Sequence, residues 1–120
     1  MPETTVRRKY LVKENGTDVD SHANAELYRL MQRMYPGNNY FSLQEVEKHV
    51  INCGRNIRNG NGAEVTRLEK RRGDIFMAID YYYGGSMVVI ALEFSNEEIA
   101  SIFCPMGRDI TNDEKYKDLK

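Results

Sequence analysis

The densest apolar stretch of the chain runs from Gly73 to Phe94, GDIFMAIDYYYGGSMVVIALEF, where two runs rich in Ile, Val, Phe, Tyr and Met flank Gly84-Gly85. A Gly-Gly pair supplies the positive φ angles of a two-residue hairpin turn, so the segment predicts a β-hairpin. With Tyr83 opposite Ser86, the ladder pairs Tyr81 with Val88, Ile79 with Ile90, Met77 with Leu92 and Ile75 with Phe94, and one face is wholly apolar. The other face is mixed: Tyr82 with Met87, Asp80 with Val89, Ala78 with Ala91, Phe76 with Glu93. A slip of one residue would scatter both sets across the two faces, which is why this register is preferred.

Alternation also marks Thr5 to Val12 as a half-buried strand near a sheet edge, with Val6, Arg8, Tyr10 and Val12 on one side. After a turn at residues 14–18, Asp20 or Ser21 is placed to cap a helix whose stripe is Leu27, Leu30, Met31 and Met34. Ser42 and Glu45 have the spacing of a capping box, and Phe41 and Val46 that of a hydrophobic staple, so a second helix starts at Leu43. Its stripe of Leu43, Val46, Val50, Cys53 and Ile57 predicts continuation through Gly54 to about Arg58, at a cost of about 1 kcal/mol for the internal glycine. Asn59-Gly60-Asn61-Gly62 then forms a loop. Glu64 to Arg71 reads as a strand joined to the hairpin by a turn at Arg72-Gly73, which places Leu68 beside Met77, Thr66 beside Ile79, and Arg67 beside Ala78 and diagonal to Asp80. Ser95 and Glu98 suggest another capping box, so the segment before Pro105 is read as a short helix, with a returning strand as the alternative.

The element order β-α-α-β-β-β, then a short helix or strand, predicts an α+β fold: one domain over residues 1–108, with an antiparallel sheet of about four strands and two helices on one face. Residues 109–120 form a charged tail with little to bury and are expected to be mobile. The order resembles that of the small ribosome-dependent RNase toxins, which would imply a ribonuclease. Residues 43–104 also resemble a double-stranded-RNA-binding domain in element order, but such domains carry lysines at the start of the last helix, where this chain has Asn96, Glu97 and Glu98.

Composition narrows the function classes. With 120 residues, 41% hydrophobic and 29% charged, the chain suits an ordinary globular domain without a membrane span or signal peptide, and a cytoplasmic location is expected. Cys53 and Cys104, the two cysteines, read as reduced, small buried apolar residues. A net charge of −1 excludes a generally basic nucleic-acid binder. Charge is nevertheless segregated: residues 55–72 hold Arg55, Arg58, Arg67, Lys70, Arg71 and Arg72 against Glu64 and Glu69, whereas the chain beyond Phe94 is acidic. That basic rim could take phosphates or an acidic protein surface.

No phosphate-binding loop, nucleophile elbow or paired metal motif is present, and no cofactor or metal is expected. His49 and Cys53 share a helix face at i, i+4, but two ligands are too few for zinc. Asp80 and Glu93 on the mixed face could act as acid and base, although Arg67 is placed to compensate Asp80. The mixed face itself, with Phe76, Asp80, Tyr82, Tyr83, Met87 and Val89, has the amphipathic side chains favoured at interfaces. The leading expectation is therefore a small non-enzymatic protein of inhibitor or adaptor type that binds another protein, or a second copy of itself, through this face. The alternative is a nucleic-acid binder or small ribonuclease using the basic segment 55–72.

Overall fold

The computed structural model describes residues 5–38, 42–58, 62–103 and 107–116. They form an α+β domain in which an antiparallel sheet carries helices on one face. The strands are β1 (Val6–Glu14), β2 (Thr17–Asp18), β3 (Arg55–Arg58), β4 (Glu64–Arg72), β5 (Ile75–Tyr82), β6 (Met87–Phe94) and β7 (Arg108–Asp109); the helices are α1 (Ser21–Met34), α2 (Leu43–Cys53) and α3 (Glu97–Ser101). The sheet order is β2-β1-β6-β5-β4-β3, with β7 also paired to β1. Among the described residues, seven strands replace the expected four or so, because β2, β3 and β7 are too short to show an alternation of their own.

The central hairpin has the expected register, from Ile75 opposite Phe94 to Tyr82 opposite Met87. Gly84 and Gly85 lie at φ 69° and 102°, and the Ser86 amide donates to the Tyr83 carbonyl at 3.4 Å, closing the turn. The neighbouring turn differs from expectation. Arg72 remains in the ladder opposite Ile75, so the turn is centred on Gly73-Asp74, with Gly73 at φ 61°. The pairing of β4 with β5 is thereby shifted by two residues, placing Leu68 opposite Ile79 and Arg67 directly opposite Asp80. A two-residue shift leaves every side chain on its own face, so the inside-outside pattern survives while the cross-strand partners change.

Asp20 caps α1, its carboxylate accepting from the His22 amide. Ser42 caps α2, its hydroxyl accepting from the Glu45 amide; the staple residue Phe41 lies outside the described residues. The expected continuation of α2 to Arg58 is not found. Gly54 ends the helix, and a Cβ there would lie 2.5 Å from the Val50 carbonyl oxygen and 2.9 Å from that of Arg67, so only glycine lets the chain turn so closely against β4. Cys53, expected to be buried, is exposed at this turn, and Cys104 is outside the described residues. Residues 97–101 are helical, but Asn96 rather than Ser95 is the cap, its side-chain oxygen accepting from the Ile99 amide.

The main core lies between the helices and the sheet. Leu27, Leu30, Met31 and Met34 of α1 and Val46 and Val50 of α2 pack on Met77, Ile79, Ile90, Leu92 and Phe94, while Ala100, Ile99 and Phe103 bring α3 to the same face. A second cluster covers part of the opposite face: Leu11, Val65, Tyr82, Val89 and Ile110, flanked by Val19, Ile57, Ala63 and Met87. Ile110 belongs to the segment expected as a charged tail. It follows β7, and its amide donates to the Lys9 carbonyl.

Candidate functional site

The six cations of the basic segment are dispersed over both faces of β3 and β4, and each has a partner. Arg55 pairs with Glu69, Arg58 with Glu64 at 3.4 Å, and Arg67 with Asp80. Lys70 stands 5.2 Å from the Tyr35 ring centre and Arg71 5.4 Å from that of Phe76, while Arg72 donates to the Arg33 carbonyl at the end of α1. The two carboxylates within the segment are therefore used locally, which the count of charges along the chain does not show.

On the outer face of the sheet, the presumed interaction residues separate into two groups. Tyr82 and Val89 are buried in the second cluster, so the exposed Tyr82 expected from alternation is not found; β1, β4 and Ile110 cover it. Phe76, Asp80 and Met87 are buried or half-buried, and Tyr83 alone of this set is exposed. Arg67 grips Asp80 through two parallel bonds, Nε to Oδ1 at 2.7 Å and the terminal nitrogen to Oδ2 at 2.8 Å. That hydrogen bond raises the Arg67 pKa, outweighing the opposing effect of burial. Glu93 pairs with Arg7 at 2.9 Å. Beside these pairs lies a cavity of about 340 Å³, bordered by Lys9, Phe76, Ala78, Ala91 and Thr111. Burial lowers the Lys9 pKa, and nearby Arg67 adds to the effect while Asp80 opposes it.

A larger groove, about 650 Å³, lies on the helix side at the β3 edge of the sheet. Asn56 and Arg58 of β3, Glu64 and Thr66 of β4, and Tyr81 followed by Tyr83 and Gly84 line it. The Thr66 hydroxyl donates to the Asn56 side-chain oxygen at 3.0 Å, fixing the floor. At one end, α2 approaches through Glu47, whose Oε1 is 3.2 Å from where a Cβ on Gly85 would stand. Burial first and the Glu47 charge second push the Tyr81 phenol up to about 12. Tyr83, at the other wall, is 67% exposed and has φ 52°, a left-handed conformation that costs a bulky L-residue energy. Ile51, one helical turn beyond Glu47, is 58% exposed.

This groove unites Tyr83 and Arg58, which the sequence had assigned to different surfaces, and adds Asn56, Thr66 and Tyr81. The missed signal was Ile51, an apolar residue off the buried stripe of α2. His49 packs edge-on against Tyr35 at 4.8 Å, and among the described residues no group of three or more His, Cys, Asp or Glu side chains is placed to hold a metal. No helix among them is long and apolar enough to cross a membrane. No protein-family model matches this chain, and neither the curated proteins nor the solved structures include a match.

Proposed function

We propose that this is a small non-enzymatic binding protein, of inhibitor or adaptor type, that takes an extended segment of another protein along β3 and into the adjoining groove. The observation that carries this reading is Tyr83. Glycine or asparagine would occupy its left-handed position with less strain, yet the chain holds a largely exposed aromatic ring there, on the wall of the 650 Å³ groove. Such a ring offers rigid apolar area to a partner, and Ile51 on α2, one turn beyond Glu47, is a further exposed apolar side chain. As the outermost strand, β3 has an edge that an added strand can pair with, and the groove can accept its alternate side chains.

The nucleic-acid reading has less support, since the basic residues are dispersed over two faces and held by carboxylates, rings and a carbonyl. A free, exposed Cys53 suits a reducing compartment such as the cytoplasm.

The test is selection of linear peptides from a displayed library on the full chain, followed by affinity measurements with Tyr83→Gly and Ile51→Lys. Tyr83→Gly should be as stable as the wild type, or more stable by up to about 1 kcal/mol, and should bind selected peptides about tenfold or more weakly. Failure to select any peptide, or unchanged affinity in both variants, overturns the proposal. Submicromolar, salt-sensitive binding of RNA by the wild type would put the nucleic-acid reading first.

A further inference from the structure

The registers of β3, β4 and β5 set out the floor of the Tyr83 groove in two rows: Asn56, Thr66 and Tyr81 in one, Arg58 and Glu64 in the next, with Tyr83 two residues beyond Tyr81. Arg58 and Glu64 pair at 3.4 Å, so the second row is neutral. A further charge stands at the Tyr81 end. The point where Gly85 would carry a Cβ lies 3.2 Å from Glu47 Oε1 and 3.5 Å from Tyr81 Cδ2, so the carboxylate sits beside the phenol ring, and the missing side chain of Gly85 leaves space next to it.

Glu47 is half-buried, and among the described residues no cation lies within ion-pair distance of it. Its own helix supplies none: the positions three and four residues away are Leu43, Gln44, Val50 and Ile51, while Lys48 is exposed and about 100° round the helix. The connecting residues 59–63, Asn-Gly-Asn-Gly-Ala, bring no charge. Arg58, Glu64 and Glu47 together therefore leave the groove one carboxylate in excess. We propose that the groove recognises a cationic side chain, Lys or Arg, of the partner segment, its charged end beside Glu47 and its stem between the Tyr81 and Tyr83 rings. This assignment rests on the reading of the groove as a peptide site and names the chemistry that the site selects. A cation there would supply the counter-charge of a partly desolvated carboxylate and gain the attraction of an aromatic face. An acidic side chain would meet Glu47 with like charge. Neighbouring strands lie about 4.8 Å apart, so a strand added to β3 would run about 14 Å from β5, farther than a lysine side chain reaches. The cation therefore belongs to the part of the segment that leaves the strand edge and enters the groove.

Linear peptides selected on the full chain should share a Lys or Arg at one fixed position, and replacing that residue with Gln should weaken binding to the wild type about tenfold. In Glu47→Gln, checked for folding by its melting curve, the same peptide substitution should change affinity by about threefold or less, because the partner of the cation has gone. Selected peptides without a shared cation, or an equal loss in the wild type and in folded Glu47→Gln, would overturn the assignment. If Tyr83→Gly still weakens those peptides, the peptide-binding reading stands without it. Failure to select any peptide overturns both. The shared cation is read from the wild type alone, so the test decides the matter even if Glu47→Gln does not fold.

Discussion

The phenol of Tyr81 stands between the main core and the polar groove, and burial together with Glu47 keeps it protonated to about pH 12. The unfolded chain would ionise the same group near its ordinary value of about 10. Between those values the unfolded state has lost the proton and the native state has kept it, so native stability falls as pH rises from about 10 through 12. Below pH 10 the group contributes no pH dependence. Two pKa units correspond to a loss on the order of 2 kcal/mol, and Tyr81→Phe should abolish that component; urea denaturation of both proteins at pH 9 and at pH 11.5 measures it. Alternation had placed Tyr81 on the core face, and it is there. It could not reveal Glu47, because α2 meets the hairpin only after both have packed. The same limit explains Tyr82: its face was legible, whereas its cover, Ile110, comes from a remote segment.

At the scale of the element, Gly54 separates two readings by the sign of one measurement. If α2 ran on to Arg58, Gly54→Ala would replace an internal helical glycine and stabilise the protein by about 1 kcal/mol. In the observed turn, the new methyl would collide with two backbone carbonyl oxygens and press on the Thr66 methyl at 3.1 Å, so a destabilisation of about 1–3 kcal/mol is expected instead. Chemical denaturation of this variant is the check. Helical spacing of Cys53 and Ile57 with Val46 and Val50 is real in the sequence, but it competes with an edge for pairing on β4. The capping signals at Asp20 and Ser42 were readable because a cap lies within a turn of the amides it satisfies. The β4–β5 register was not, because shifts of two residues preserve the pattern of faces, and the turn chemistry at Gly73 decides between them.

For the whole molecule, the consequential feature is that the sheet is covered on both faces, by helices over most of one and partly by its own ends on the other. Ile110 is 2% exposed among Leu11, Val65, Tyr82 and Val89, so Ile110→Ala should cost about 2–4 kcal/mol in thermal or chemical denaturation. A loss near zero would mean that the second cluster contributes little and that the chain beyond Arg108 is dispensable to the fold. The sequence by itself determined the central hairpin, its register, the two capped helices and the main core, because each rests on short-range periodicity and turn geometry. Tertiary structure alone decided where α2 ends, which partner holds each cation of the basic segment, how Tyr82 is hidden, and that Tyr83, Tyr81, Asn56 and Arg58 border one groove. Those outcomes depend on contacts between residues far apart in the chain, and local pattern carries no information about which remote side chain closes them.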